Sequence, residues 1–462
     1  MVGIKGVGMT MLAEFLVSQG YLVSGSDTGE SFITDSVLEK SNITVFEGFS
    51  EAHISDDYDL VVSSLAYSEE TNSELQEARR HHLKMTTYPE LLATVFNTHF
   101  GIAVCGSHGK TTTTAWLAFV LWKAGLEPNA MVGAPVAQFS GSSLTGSSNY
   151  LIIEADEYKN KLQYLQPKII VMNNIDYDHP DFFPDLGSYT KVFSYFIGRL
   201  PKSGKLIVNY DDDIAREISE KYCTGEIVSY GINSKAHYVA NNITAHGGKQ
   251  FFNVLVQSGD TGEVIENETN DLGDFSIVLA GNHNILNALA VICTSLELGV
   301  DLHLIRRYLG EFTGTARRMD VMGEFNNTLI IDDYAHHPTE IVATLEAVNQ
   351  KYPDKKIRVV FHPHTFSRTK TLLTEFGRSF SNVSEVIVLD IYGSAREEQG
   401  GISGAEVAEE IKKNGIVNVH FIPTLEAVET YLRETVSVGE IIVLMGAGDV
   451  YKIGERLVQK YD

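Results

Sequence analysis

No stretch constrains this chain more than Gly106-Ser107-His108-Gly109-Lys110-Thr111. It follows the apolar run Phe100-Gly101-Ile102-Ala103-Val104-Cys105, which reads as a buried strand, and precedes the helix-compatible run from Thr112 to Ala124. Strand, glycine turn and helix in that order gather backbone N–H groups and the positive end of a helix dipole around one point, which suits phosphate oxygens. On this reading the loop holds ATP: Lys110 neutralises the β- and γ-phosphates and the Thr111 hydroxyl ligates Mg2+. The full Walker pattern is not met, because Val104 stands where its first glycine would be. A chance glycine turn stays open on this motif alone.

Two later apolar runs bear on that choice. Tyr150-Leu151-Ile152-Ile153 ends in Glu154-Ala155-Asp156-Glu157, and Ile169-Ile170-Val171-Met172 leads into Asn174-Ile175-Asp176-Tyr177-Asp178-His179. Ligands of open parallel sheets bind beyond the carboxyl ends of the strands, so three strand ends converge on one site. Glu154 is then placed to reach the loop's Mg2+, with His179 beside it.

The 462 residues exceed what one core usually serves, and about three domains are expected. The pattern divides as residues 1–95, 96–310 and 311–462, all of the α/β class. The first alternates short apolar runs, Tyr21 to Asp27 and Leu60 to Ser64, with helical stretches, and reads as Rossmann-like. The second is a phosphate-loop unit with a parallel sheet. Its polar, alternating stretch from Ser229 to Val278 suggests a small antiparallel addition. The third, again Rossmann-like, carries runs at Thr328–Ile331, Ile357–Phe361, Val386–Leu389 and Ile441–Leu444. The low-complexity piece Ser140 to Asn149 reads as a surface loop.

Further candidates sit at strand ends. Gly3-Ile4-Lys5-Gly6-Val7-Gly8 precedes the amphipathic run Met9 to Gln19, and Asp27 ends the next strand. The spacing is not that of a dinucleotide fingerprint, yet such a loop fits any pyrophosphate, including that of a UDP-sugar. In the third unit Asp332-Asp333-Tyr334-Ala335-His336-His337-Pro338 and His362-Pro363-His364-Thr365-Phe366-Ser367-Arg368 follow two strands. Four histidines there raise zinc as an option. Thiolates are absent and Arg368 opposes a cation, so carboxylate binding by the guanidinium suits the set better. Arg317-Arg318 is a surface basic pair or a contact for the γ-phosphate.

Composition excludes some partners. With 36 basic and 60 acidic side chains the formal charge is −24, which repels nucleic acid and anionic membranes. No stretch approaches a membrane span, and the N-terminal residues lack a signal-peptide pattern, so a cytoplasmic protein is expected. Cys105, Cys223 and Cys293 are too few and scattered for a disulfide framework, and buried free thiols are expected.

Taken in order, Gly-Ser-His-Gly-Lys-Thr, Glu-Ala-Asp-Glu, Asn-Ile-Asp-Tyr-Asp-His-Pro, Gly281-Asn282-His283-Asn284, Arg317-Arg318, Asp-Asp-Tyr-Ala-His-His-Pro-Thr-Glu and His-Pro-His-Thr-Phe-Ser-Arg-Thr resemble the Mur ligase family. The resemblance runs from Val2 to about Asp449. It implies a UDP-binding first domain, a central ATPase domain and a third domain that receives an amino acid. The implied partners are UDP-N-acetylmuramate and L-alanine, with ATP and Mg2+ or Mn2+, and with neither nucleic acid nor membrane. The oligomeric state is left open between monomer and homodimer. The implied chemistry is attack of the lactyl carboxylate on the γ-phosphate, then of the amine on the acyl phosphate.

By the same resemblance Gly106, Ser107, His108, Gly109, Lys110, Thr111 and Thr112 hold the phosphates, while Thr111, Glu154 and His179 serve the metals. His283, Asn284 and Asn287 would hold the adenine, Asp332 the ribose and Arg318 the γ-phosphate. Tyr334, His336, His364 and Arg368 would form the alanine pocket, with Lys110, His179, Arg318 and His336 as the catalytic set. Gly6, Gly8, Met9, Asp27, Ser63 and Ser64 would contact the UDP-sugar. Thr365 stands where many members have an arginine, Phe49 replaces a frequent histidine, and Lys191 is the nearest candidate for a carbamylated lysine. The first strand would be unusually short. Attachment of a murein tripeptide, a non-ligating nucleotide-sugar sensor and a dinucleotide-dependent oxidoreductase are the alternatives.

Overall fold

The computed structural model describes residues 1–257, 271–393, 397 and 399–458. Residues 258–270 of the expected antiparallel stretch, and 459–462 of the third expected unit, lie outside the described residues.

The central sheet runs in the order Asp271–Ile277, Lys249–Val256, Tyr238–His246, Glu226–Gly231, Lys205–Asn209, Ile169–Met172, Phe100–Cys105, Tyr150–Glu154, Asn129–Val136, Gly141–Leu144. Pairing is parallel from Glu226–Gly231 through to Asn129–Val136. The expected antiparallel strands continue this sheet from its edge instead of forming one of their own. Phe100–Cys105 lies mid-sheet between Ile169–Met172 and Tyr150–Glu154, covered on both faces, which explains its uninterrupted apolar run.

Helix Lys110–Lys123 is buried from Thr111 through Leu121. A helix apolar all round belongs in a core, and it packs with helix Asn282–Glu297 in the largest hydrophobic cluster. Trp116 stacks on Phe312 and donates its indole N–H to the Leu309 carbonyl at 3.1 Å. The start of this helix, and so the phosphate loop, is fixed by its most buried element.

One expectation fails at the sheet's other edge. Gly141–Leu144, within the stretch read as a surface loop, is a strand antiparallel to Asn129–Val136. Its Ser142 is buried and gives both N–H and Oγ to Glu14 of the first unit. Polar composition concealed it, because its partner is a distant carboxylate and not an apolar layer.

The third sheet runs Asp320–Phe325, Thr328–Asp333, Ile441–Met445, Ile357–Phe361, Glu385–Val388, Val419–Phe421, parallel except for its first pair. The first unit has two parallel pairs, Ser24–Asp27 with Thr44–Glu47 and Val61–Ser63 with Met85–Thr87. Val2 alone bridges them, reaching Ser26 on one side and Ser63 on the other, so the short first strand is a single bridging residue. The apolar run at Tyr21 is only half a strand, since Leu22 is fully exposed. Cys105 and Cys293 are buried free thiols, whereas Cys223 is only half-buried. Among the described residues no helix is long and apolar enough to cross a membrane.

Candidate active site

Two glycines of the phosphate loop have no substitute. Gly106 has φ +126 and a Cβ there would stand 2.8 Å from the Asn174 carbonyl oxygen; Gly109 has φ +78 and its Cβ would stand 2.7 Å from Asn287 Oδ1. Asn174 braces the turn, its Oδ1 accepting from His108 N at 2.8 Å and its amide donating to His108 O at 3.2 Å. Ser107 Oγ donates to the Asp176 carbonyl at 2.7 Å. The loop is thus clamped by the end of the neighbouring strand, as convergence of strand ends requires.

Lys110 Nζ reaches Gly106 O at 2.6 Å, Ser107 O at 3.1 Å and Glu157 Oε2 at 3.1 Å. Burial disfavours its charge, but Glu157, Asp156 and Glu154 outweigh this and hold its pKa above the ordinary lysine range. Thr111 Oγ1 donates to Glu154 Oε2 at 2.9 Å, and the same oxygen accepts from Gly133 N at 3.0 Å. A hydroxyl and a carboxylate at a helix start are hard oxygen donors of the kind Mg2+ takes. Asp156, Glu157 and His179 offer a further set of ligand atoms within 4.8 Å of one another, with His179 held at φ +57. These residues fit divalent metal; Lys191 does not join them, being exposed beside Asp185 at the start of its own helix.

Next to the loop, a cavity of about 490 Å3 opens between the central and third units. His108, Gly109, Thr112, His283, Asn284, Asn287 and Arg318 line it. Burial, aided by Arg318, pushes His283 down to about 4, so its imidazole is neutral. Asp332 is a correction. Its carboxylate turns away to Arg317 Nε at 2.9 Å, and burial pushes it up to about 6; Asp333 is the aspartate that lines the cavity. Successive strand residues point to opposite faces, so the two adjacent carboxylates cannot share a role. The arginines divide likewise: Arg317 is buried under Asp332 and the Gly446 carbonyl, while Arg318 faces the cavity with Nη1 3.6 Å from Glu340.

Tyr334, His336, His364 and Arg368 gather where the third sheet meets the central one. The His336 ring lies 5.1 Å from Tyr334 and 5.9 Å from His364, centroid to centroid. Arg368 is not a free guanidinium: Asp178 of the central unit accepts from its Nε at 2.8 Å and Nη2 at 3.2 Å. Burial opposes the Asp178 charge, yet Arg368 and His179 hold its carboxyl well below the usual range. The contact expected of Arg368 with an amino-acid carboxylate is therefore already made by Asp178. Thr365 starts the helix at φ +67, an uncommon backbone for a β-branched residue, and its N–H donates to Tyr392 O at 3.0 Å.

Sequence reasoning named Asp178, Glu157 and Glu340 only as motif members and passed over Asn173. Glu340 joins His108, His336 and Arg318, and Asn173 donates to His108 O at 3.2 Å. Glu340 closes the Asp-Asp-Tyr-Ala-His-His-Pro-Thr-Glu motif, but its place in the first turn of helix Pro338–Lys351, where acids are ordinary caps, hid its contacts.

In the first unit Gly6 caps helix Val7–Ser18, leaving first-turn N–H groups at Gly8 and Met9 for a ligand. The Met9 side chain itself is buried in the core, so only its backbone faces the loop. Asp27 Oδ2 accepts from Lys5 N at 2.7 Å, and Ser64 N donates to Val2 O at 2.9 Å, bringing Ser63 and Ser64 beside the glycine turn. Phe49 packs on Tyr67 at 4.7 Å in a small apolar cluster.

Comparison with known proteins agrees with this geometry. Residues 1–100 match the Mur ligase family catalytic domain, 104–295 the Mur ligase middle domain and 317–448 the Mur ligase glutamate ligase domain. The UDP-N-acetylmuramate–L-alanine ligase of Desulfitobacterium hafniense is 39% identical over 99% of this chain and 98% of its own. That of Clostridium acetobutylicum is 38% identical over 99% and 97%. The solved UDP-N-acetylmuramate-alanine ligase of Thermotoga maritima superposes with a TM-score of 0.82 at 26% identity, covering 100% of this chain and 98% of that one. A murein peptide ligase from Psychrobacter arcticus gives a TM-score of 0.73 at 25% identity, covering 99% and 97%. With the phosphate loop, the opposed strand ends and the relatives all agreeing over the whole length, this chain is an enzyme that belongs to the Mur ligase family.

Proposed function

We propose that this enzyme joins L-alanine to the lactyl carboxylate of UDP-N-acetylmuramate at the expense of ATP, in the cytoplasm, as a step of peptidoglycan precursor synthesis. The observation that carries this reading is the meeting of two sets of strand ends: Asp178 and His108 on the central unit contact Arg368 and Glu340 on the third, and Glu154 beside the loop feels the charge of Arg318. Residues 1–95 present the UDP-sugar through the backbone donors after Gly6 and through Asp27, Ser63 and Ser64. Residues 96–310 hold ATP, and residues 311–462 deliver the amino acid.

Thr111, Glu154 and His179 would hold Mg2+, or Mn2+ in its place, which lowers the charge repulsion of phosphoryl transfer when bound. Lys110 and Arg318 flank the γ-phosphate and stabilise charge as the carboxylate attacks. His283, Asn284 and Asn287 surround the adenine, and Asp333 supplies the carboxylate near the ribose. The two units together exclude water from an acyl phosphate that would otherwise hydrolyse. The amine, held in the pocket of Tyr334, His336 and His364, then attacks at close range.

The test is phosphate release with ATP, Mg2+ and UDP-N-acetylmuramate, with and without L-alanine. Alanine-dependent release is expected; its absence sinks the reading, and release that requires a murein tripeptide instead identifies the sister activity.

A further inference from the structure

Glu340 touches three groups that arrive from different parts of the chain. Its Oε1 lies 3.2 Å from His108 Nδ1 in the phosphate loop and 3.6 Å from Arg318 Nη1. Its Oε2 accepts from His336 N at 3.1 Å and lies 3.2 Å from His336 Nδ1. The carboxyl is nine-tenths buried and, against the effect of burial, His336, His108 and Arg318 hold it well below the usual range.

Nδ1 of His336 is faced by two acceptors, the Glu340 carboxylate and the Tyr334 carbonyl at 2.9 Å. A ring nitrogen between two acceptors must carry the hydrogen, which leaves Nε2 of the neutral ring as a bare lone pair. Burial, partly offset by Glu340, lowers His336 to about 4, so the ring is neutral at physiological pH. Charged and titratable neighbours on the Glu340 side are His108, Arg318 and Asp333; on the His336 side they are Asp178, Arg368 and His364.

We infer that Glu340 is a positioning residue that, together with the Tyr334 carbonyl, holds the His336 ring as the Nδ1–H tautomer, with Nε2 free to take the proton from the ammonium of the incoming amino acid, and that ties this setting to the phosphate loop through His108. The inference rests on the ligation reading above. The amino acid arrives as an ammonium ion and must lose one proton before it can attack. Nε2 takes that proton. The amine nitrogen then bonds to the acyl carbon, the carbon–oxygen bond to phosphate breaks, and the second proton of the nitrogen leaves with the phosphate. Because His108 belongs to the phosphate loop, the acceptor is set only when the central and third units are together.

Hydroxylamine separates this role from a structural one, since it is already neutral near neutral pH and traps acyl phosphates as hydroxamates without a base. In Glu340→Gln, alanine-dependent phosphate release should fall about 100-fold, while hydroxamate formation falls no more than a few-fold. The residual alanine rate should rise about tenfold per pH unit, following the neutral fraction of the free amine, where the unmodified enzyme stays flatter. A parallel loss of both reactions, or an unchanged alanine rate, overturns the inference. Isotope-labelled histidine in the unmodified enzyme, with His336 assigned through His336→Gln, gives a second readout that needs no folded Glu340 variant. The Nδ1–H tautomer is expected, and an Nε2–H tautomer overturns the inference as well. Absence of alanine-dependent release in the unmodified enzyme would instead strike the ligation reading itself.

Discussion

The cleft between the central and third units and the glycine turn of the first unit, the two places we propose to meet anions, are built by opposite means. In the cleft, charged side chains are buried and paired with one another: Lys110 with Glu157, Arg368 with Asp178, His108 with Asp176 and Glu340. At the first turn the donors are backbone N–H groups after Gly6; Asp27 accepts from Lys5 N and Thr28 N, and the Lys5 ammonium lies 3.5 Å from Asp35. The cleft exchanges internal partners for ligand, whereas the turn offers groups that need no exchange. Chemistry that creates charge belongs in the first kind of site, where few water molecules compete; plain holding of a pyrophosphate suits the second.

The sharpest test of that division is Lys110→Ala. It should lower phosphate release on the order of 1000-fold while UDP-sugar binding, followed by calorimetry, stays nearly intact; equal loss of both would mean the two sites are not separate. Next comes Asp178→Ala, which strands the buried Arg368 charge and should lower stability by about 3 kcal/mol in denaturant unfolding. Asp27→Ala removes an acceptor of backbone donors at the first turn and should lower stability by only about 1 kcal/mol. Similar values for these two would erase the contrast.

A further effect concerns pH. Burial alone would lower the His108 pKa, but Asp176 and Glu340 raise it to about 9. A folded-state pKa above the unfolded one means stability that is complete below about 6.5 and lost as pH rises through about 9. His108→Gln should therefore flatten the alkaline limb of a stability curve, by on the order of 2 kcal/mol. The acid limb is shared by His283, His336 and His362, with pKa values of about 4, and by the depressed carboxyls of Asp178 and Glu340, all of which lose stability as pH falls below their unfolded range. A His108→Gln variant with an unchanged alkaline limb would remove the charged bridge from the cleft.

Local features were legible in the sequence. The phosphate loop occupies consecutive residues between an apolar strand and a helix, so its geometry is set by neighbours in the chain. The three strands ending there were visible as short apolar runs because a mid-sheet parallel strand is covered on both faces. Gly141–Leu144 was not visible, since its stabilising partner Glu14 lies in another unit. Asp332 and Asp333 are indistinguishable as letters; a left-handed turn at Arg317 and the alternation of the strand decide which faces the cavity. Glu340 looked like an ordinary first-turn acid until packing brought His108 to it.

The sequence by itself determined the fold class, the phosphate loop and the inventory of acids, histidines and arginines at strand ends, because each is written in contiguous residues whose periodicity and local turns need no distant partner. Only the tertiary structure decided who pairs with whom: Arg368 with Asp178, Arg317 with Asp332, and Glu340 with both the loop and His336. Two of those pairs, Arg368–Asp178 and Glu340–His108, join residues remote in the chain across a buried interface, where the penalty for an unpartnered charge selects the partner and no local pattern records it.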